Sequence, residues 1–328
     1  MAEAEVGDEQ RREDPTVNTL EERAAVFLGH EQAVFLPTAT MANQIALKLL
    51  TAPGDEVVAE AGCHIFRSEL GGAAFHSGLA MKGIQGQRGL FGPADVDEVM
   101  STGDIHQAPT RLLCLENTHN AGGGTIWPID LVRRVVARAR ELGLALHLDG
   151  SRLANAAVAS GVPAAEYGRE FDTVTLCLSK GLGCPLGALL AGSNERMETA
   201  RRLKHLFGGA MRQAGMVAAA GVYAFAHNVE RLAEDHANAR RLAEGLADGG
   251  LPVEPAETET NFVLLDAAAC GLSVDETDAR LQSEGILLSP AARRGYLRAV
   301  THLDVGAEDI EDAVSAAVRA LAPMSAAR

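Results

Sequence analysis

The chain has 328 residues, of which 47% are hydrophobic and 22% charged, as in an ordinary globular protein. Its net charge of −15 argues against nucleic acid as a partner, because a phosphate backbone binds basic surfaces. No stretch approaches the roughly 18 consecutive apolar residues of a membrane span, so no membrane association is expected.

The cysteines and the N-terminus bear on the cellular compartment. There are five cysteines, and no two are spaced CxxC. An odd, scattered set predicts neither disulfides nor a zinc site and favours a reducing environment. The first residues, MAEAEVGDEQRRED, are acidic and polar, unlike a signal peptide. We therefore expect a cytoplasmic protein without a bound metal.

Short apolar runs alternate with helical patterns through the first two thirds of the chain. The predicted strands are 33–37, 56–60, 111–117, 144–150, 172–179 and 187–193. The predicted helices are 41–50, 94–101, 128–143, 152–158 and 214–226. This alternation is typical of an α/β fold with a mostly parallel central sheet and helices on both faces.

The pattern changes near residue 228. A long amphipathic helix is predicted from Asn228 to the stop signal Gly249–Gly250. After it come a strand at 260–266, a helix at 277–285, two strands at 286–290 and 296–304, and a closing helix at 306–321. We predict a large α/β domain over residues 1–230 and a small α+β C-terminal domain over 231–328.

Several common catalytic motifs are absent from the sequence. There is no GxxxxGK[ST] phosphate loop, no HExxH and no GxSxG. The segment GLGCPLG (181–187) resembles a dinucleotide fingerprint, but its third glycine is misplaced and no helical pattern follows. Nucleotide kinases, zinc proteases and α/β-hydrolases are therefore disfavoured.

Polar residues follow the predicted strands, where an open α/β sheet binds its ligand. They are the turn Thr38, Ala39 and Thr40, then His64, the segment ENTHN with His119, Asp149 with Arg152, and Ser179 with Lys180. Each alone has a structural explanation, because threonine commonly caps helices, aspartate ends strands and histidine packs in cores.

Together these residues match the needs of pyridoxal 5′-phosphate (PLP). Its aldehyde joins a lysine amine, its pyridine nitrogen pairs with an aspartate, and its phosphate suits a helix N-terminus. Lys180 directly follows a buried strand, where an ammonium is costly to desolvate. Burial and a neighbouring cation would favour its free amine.

Longer segments resemble the low-specificity L-threonine aldolases, in the β-eliminating-lyase branch of the fold-type I PLP enzymes. They are EDPTVNTLE (13–21), FLPTATMANQIAL (35–47), HIFRSELGGAA (64–74), LENTHNAGGGTIWP (115–128), LALHLDGSRLANAAVA (144–159), CLSKGLGCPLGALLAG (177–192), GGAMRQAG (208–215) and LRAVTHLD (297–304). They stand in the family's order over most of the chain.

The resemblance implies roles for the residues at the cofactor. Lys180 would carry the cofactor, Asp149 would pair with its pyridine nitrogen, and His64 would stack on its ring. The residues that would hold the phosphate are Thr38, Ala39, Thr40 and Ser179.

The resemblance also implies a substrate site and a reaction. Arg152 and Arg298 would bind the substrate carboxylate, His119 would serve the substrate hydroxyl, and Arg212 would lie at the active-site rim. The expected reaction is retro-aldol cleavage of β-hydroxy-α-amino acids, with L-threonine and L-allo-threonine giving glycine and acetaldehyde. Family members form homotetramers or dimers with shared active sites, and we expect the same here.

Two other functions stay open at this point. One is a related PLP-dependent β-eliminating lyase or racemase that acts on another amino acid. The other is a truncated, weakly active or inactive homologue, because the family's opening LRSDTVT segment is missing from this sequence. Arg11 also replaces a family tyrosine, and Ala39 replaces a family glycine, which matters if that position needs a positive φ.

Overall fold

The computed structural model describes residues 1–321. The strands are β1 (Gln32–Leu36), β2 (Glu56–Glu60), β3 (Ala80–Ile84), β4 (Thr110–Glu116), β5 (Ala145–Asp149), β6 (Thr173–Cys177), β7 (Ala188–Gly192), β8 (Phe262–Asp266), β9 (Ser289–Pro290) and β10 (Tyr296–Val300). The helices are α1 (Pro15–Leu28), α2 (Ala39–Leu50), α3 (His64–Arg67), α4 (Gly72–Ser77), α5 (Pro93–Val99), α6 (Ile129–Glu141), α7 (Leu153–Ser160), α8 (Ala164–Gly168), α9 (Asn194–Leu206), α10 (Gly215–His227), α11 (Leu232–Asp248), α12 (Val274–Ser283) and α13 (Ala307–Leu321). Among these helices, none combines the length and the apolar character that crossing a bilayer requires.

A seven-stranded sheet forms the centre of the first compact unit, residues 1–118 and 127–230. The strand order is β1-β7-β6-β5-β4-β2-β3, and the neighbours from β6 to β3 are all parallel. Only β7 runs against its neighbours. The predicted α/β fold with a mostly parallel sheet is thus confirmed.

Burial explains why the central strands read as continuous apolar runs. Every residue of β6 and β7 is buried, because both faces of the sheet are covered. On one face, α2 packs Ile45 and Ala46 against Val34, Leu36 and Leu190 of the sheet. This packing fixes the N-terminus of α2 at the edge where the parallel strands end.

Six elements of this unit were missing from the sequence interpretation: helices α1, α3, α4, α8 and α9 and strand β3. Helix α1 begins after Asp14, whose carboxylate accepts from the amides of Thr16 and Val17, with Pro15 in the first turn. That capping signal is present in the sequence. Strand β3 has only Ile84 fully buried, because it is the edge strand of the sheet. Its apolar pattern is correspondingly weak.

The second compact unit comprises residues 119–126 and the described residues from Arg231 onward. Its sheet has the order β8-β10-β9, entirely antiparallel. The segment 119–126 joins this unit although it directly follows β4. The predicted long helix begins at Leu232 rather than Asn228, and only Ser289–Pro290 of the predicted strand 286–290 is extended and paired. The last seven residues of the predicted domain 231–328 lie outside the described residues.

A buried ion pair joins the N-terminal segment of the first unit to α9. The Lys204 ammonium donates to the Glu9 carboxylate, and both side chains are at most 5% exposed. The other Glu9 oxygen accepts from the Met211 amide at 3.2 Å. The segment before α1 is therefore anchored beside the loop 208–214.

Breaking this pair is expected to destabilise the fold. Lys204→Met should lower the free energy of unfolding by about 3–5 kcal/mol, because Glu9 is left buried without its cation. Urea unfolding measures the loss. The double variant Glu9→Gln/Lys204→Met should recover part of it; a double variant less stable than Lys204→Met would contradict this explanation.

Candidate active site

The carboxyl ends of five strands bring polar side chains to one edge of the large sheet. Strands β1, β2, β4, β5 and β6 run in one direction, and the segments that follow four of them are 37–40, 61–64, 150–152 and 178–180. This edge therefore collects eight of the residues singled out from the sequence: Thr38, Ala39, Thr40, His64, Asp149, Arg152, Ser179 and Lys180. These eight residues are candidates for the active site, and the geometry around each residue determines its possible role.

Lys180 and Asp149 form a pair that interacts through charge without a direct hydrogen bond, and Asp149 is buried whereas Lys180 is partly buried. Burial lowers the pKa of Lys180, and the positive charge of Arg152 lowers it further. Burial alone would raise the pKa of Asp149, but the Lys180 charge and a hydrogen bond with the Ser151 side chain hold it below its usual value. Asp149 is only 1% exposed. The site thus combines an ionised carboxylate with an amine biased towards its neutral form.

His64 is held by a buried carboxylate that the sequence interpretation missed. Its Nδ1 lies 2.9 Å from Glu69 Oε1, and its backbone amide donates to Glu116. The hydrogen bond to Glu69 raises the pKa of His64, although burial opposes the shift. The exposed side of the ring remains available for a ligand, since a third of the side chain is accessible.

The His64–Glu69 pair predicts a pH dependence of stability. Because the folded-state pKa of His64 lies above 6.5, the protonated pair stabilises the fold below that pH. The contribution is lost as the pH rises through the raised pKa. The stability difference between wild type and His64→Gln, measured by urea unfolding, should therefore be larger at about pH 6 than at about pH 9. His76→Gln, an exposed histidine on α4, is the control; a pH-independent difference for His64→Gln would refute the assignment.

Behind Asp149 lies a second group of residues that the sequence did not single out. The Asn43 side-chain amide donates to both Glu69 and Asp149, each at 2.8 Å. His147, fully buried on β5, lies 3.2 Å from the Asn43 carbonyl oxygen. Asn43 and Glu69 lie inside the segments FLPTATMANQIAL and HIFRSELGGAA; for Asn43, a polar residue at a helical position facing the sheet was the available signal.

The N-terminus of α2 offers groups that can bind an anion at this edge of the sheet. Thr38 caps the helix, its hydroxyl accepting from the Met41 amide at 3.1 Å. Ala39 begins the helix and is not among the residues with positive φ. Alanine therefore costs nothing at this position. The first-turn amides and the exposed Thr38 and Thr40 hydroxyls suit a phosphate group.

These residues fit PLP by the chemistry of their donors. The Lys180 amine has no hydrogen-bond or ion-pair partner in the part of the chain that the structure describes, although it is partly buried. An amine in this state is suited to a covalent carbonyl partner. An ionised carboxylate and a capped helix terminus on the same edge match the pyridine nitrogen and the phosphate.

Two predicted arginines of this unit differ in their surroundings. Arg152 follows β5 and acts electrostatically on Lys180. Arg212 is exposed, and its guanidinium pairs with Asp8 at 2.8 Å. The structure therefore brings Arg152, but not Arg212, into electrostatic range of the Lys180–Asp149 pair.

The remaining two predicted residues belong to the second unit. His119 is buried, and its Nδ1 accepts from the Gly122 amide at 3.0 Å. Arg298 on β10 donates to the Asn120 side chain, and its guanidinium lies 4.7 Å from the Phe262 ring centre. In the same segment, Gly124 packs closely against Thr260: a Cβ added at Gly124 would come within 2.6 Å of Thr260 Oγ1. The segment 119–126 thus places His119 and Arg298 in one unit.

Comparison with known proteins identifies the family. The family model described as Beta-eliminating lyase matches residues 1–269. The low-specificity L-threonine aldolase of Escherichia coli K12 is 40% identical over 316 residues, which cover 95% of this chain and 91% of the relative.

Solved structures show the same fold. The threonine aldolase of Leishmania major has a TM-score of 0.81 at 22% identity and covers 94% of this chain and 91% of its own. A serine palmitoyltransferase that contains PLP has a TM-score of 0.73 at 19% identity, covering 97% of this chain and 79% of that one. The predicted fold class and family are both confirmed. The chain belongs to the beta-eliminating lyase family and, within it, to the low-specificity L-threonine aldolases.

Proposed function

We propose that this chain is a PLP-dependent aldolase that cleaves L-threonine and L-allo-threonine to glycine and acetaldehyde. The observation that carries the proposal is the partly buried Lys180 within electrostatic range of the buried Asp149, at the carboxyl ends of β6 and β5, in a chain of this family. The relatives' name supports the reaction, and the donor set at the sheet edge supports the cofactor.

We assign the cofactor-holding roles to residues of the large unit. When bound, PLP supplies an electron-withdrawing ring that accepts the electrons of a broken Cα–Cβ bond. Lys180 would hold its aldehyde carbon, Asp149 would hold a proton on its ring nitrogen, and His64 would pack against its ring. The groups assigned to its phosphate are the α2 N-terminus at Thr38, Ala39 and Thr40, and the hydroxyl of Ser179.

We assign the substrate roles to arginines and a histidine. Arg152 and Arg298 would bind the carboxylate, since planar guanidinium groups offer paired donors. His119 would accept the proton of the substrate hydroxyl, directly or through a water. Arg212 would help to bind the substrate at the rim of the active site. A methyl group at Cβ contributes only about 1–3 kcal/mol of discrimination, so broad acceptance of β-substituents is expected.

The assembly and the compartment are also proposals. We propose a homotetramer or dimer that works in the cytoplasm. Exposed apolar side chains, including Leu70 and Phe75, support self-association. All five cysteines are free, which supports a reducing compartment.

A product analysis tests the proposed reaction. Purified protein with added PLP should convert L-threonine into equal amounts of glycine and acetaldehyde, measured by amino-acid chromatography and a coupled alcohol dehydrogenase assay. The family name Beta-eliminating lyase favours one alternative, elimination from serine or cysteine, which would yield pyruvate instead. Pyruvate without glycine, or no turnover by folded, PLP-loaded protein, would overturn the proposal.

A further inference from the structure

Asn43 lies between the buried carboxylates of Glu69 and Asp149. It lies on α2 and is 1% exposed. Its Nδ2 atom is 2.8 Å from Glu69 Oε1 and 2.8 Å from Asp149 Oδ2. A primary amide carries two hydrogens, so one is donated to each carboxylate. One side chain therefore links Glu69 to Asp149.

The Asn43 amide turns its nitrogen to the two carboxylates and its oxygen to His147. Burial lowers the pKa of His147 to about 4, so the ring is neutral and carries one hydrogen. Its Nδ1 lies 2.8 Å from the Thr173 hydroxyl, and its Nε2 lies 3.2 Å from Asn43 Oδ1. Because the two carboxylates take the amide hydrogens, Asn43 Oδ1 is the atom that faces the His147 ring. A flipped amide would turn its oxygen towards two carboxylates.

Both oxygens of Asp149 are held as a result. Oδ2 accepts from Asn43, and Oδ1 accepts from the Ser151 amide at 3.1 Å. A carboxylate with one donor on each oxygen cannot rotate freely about its last bond. Its remaining lone pairs therefore keep a fixed direction.

We propose that Asn43 is a positioning residue: it ties Asp149 to the Glu69–His64 pair and orients the Asp149 carboxylate for the nitrogen of a pyridine ring. The inference rests on the proposed function, since it concerns the PLP assigned to this site. It adds a residue that acts through Asp149 rather than on the cofactor itself.

The adjacent Gln44 provides a matched control. Gln44 is also buried on α2, and its Nε2 donates to the other oxygen of Glu69. Asn43 and Gln44 thus both bind Glu69, but only Asn43 also reaches Asp149. Gln44→Ala removes a buried amide from the same helix and leaves both donors of Asp149 in place.

The test compares PLP with its 1-deaza analogue, in which carbon replaces the ring nitrogen. Both compounds carry the aldehyde and the phosphate, so the ratio of their dissociation constants isolates the contact at the nitrogen. Equilibrium dialysis against cofactor-free protein measures each constant for wild type, Asn43→Ala and Gln44→Ala. Circular dichroism checks that each protein is folded, and Asn43→Ser replaces Asn43→Ala if the latter does not fold.

Wild type should prefer PLP, and Asn43→Ala should reduce this preference by about tenfold, the effect expected for a lost hydrogen bond to a charged group. Gln44→Ala should keep the wild-type preference. If Asn43→Ala kept the wild-type preference for PLP, or if both variants lost it equally, the inference about Asn43 would be overturned. The proposed function would still stand. Failure of wild type to bind PLP would overturn the proposed function, and the inference with it.

Discussion

Lys180→Ala is expected to lower the rate of threonine cleavage by at least about a thousandfold. The amine is partly buried, its pKa is lowered by burial and by Arg152, and no other described side chain bonds to it. No other lysine among the residues brought to the sheet edge can take its place. Acetaldehyde release, followed with a coupled dehydrogenase, measures the loss.

The control for this variant is Lys48→Ala. Lys48 lies on α2, and its amine donates to the His76 carbonyl oxygen, away from the strand ends. It should retain nearly full activity and the wild-type melting temperature. Lys180→Ala should also keep a cooperative unfolding transition, because the change removes a desolvated amine without breaking an ion pair. Residual activity of Lys180→Ala within tenfold of wild type would remove the central element of the proposed mechanism.

Asp149→Asn is expected to lower kcat by at least about a hundredfold, about 2.7 kcal/mol of transition-state stabilisation. The replacement keeps the shape of the side chain but removes the charge that would hold a proton on the ring nitrogen. It also places an amide against the Asn43 amide, which now donates to a carboxylate. Steady-state kinetics with saturating PLP measure the effect, and PLP binding should weaken as well.

Asp172→Asn is the matched control for Asp149→Asn. Asp172 lies just before β6, at the opposite end of that strand, and holds Arg140, Arg196 and the Leu146 amide. Its loss should lower stability and leave kcat within about threefold of wild type, because its charge is remote from the strand ends. Equal losses of kcat in the two variants would show that the Asp149 effect is structural.

Much of the fold could be predicted from the sequence. The strands β5, β6 and β7 were predicted because strands covered on both faces of the sheet are mostly apolar. The edge strand β3 was missed because half-exposed strands carry a mixed pattern. The segment 119–126 was grouped with its neighbours in sequence, whereas its contacts, such as that of Gly124 with Thr260, lie in the second unit.

The candidate site was predicted in part. The strand-end rule and the resemblance named Lys180, Asp149 and His64, and the family that these residues implied is confirmed. Their individual roles remain predictions. Asn43 and His147 could not be found in this way because they lie within a helix and a strand, and Glu69 because it lies in the loop between α3 and α4. The rim position that the motif implied for Arg212 also stays a prediction, and the structure adds that its side chain pairs with Asp8.

The sequence by itself determined the class of chemistry and the order of the elements. A lysine, an aspartate and a helix-capping threonine follow strands of one sheet, and parallel strands end at one edge whatever the details of packing. Only the tertiary structure decided how the charges in that edge are balanced. Asn43 and Asp149 are 106 positions apart, and their contact exists because α2 packs across the sheet. Hydrogen bonds between distant side chains depend on distances and directions, which no local pattern of residues encodes.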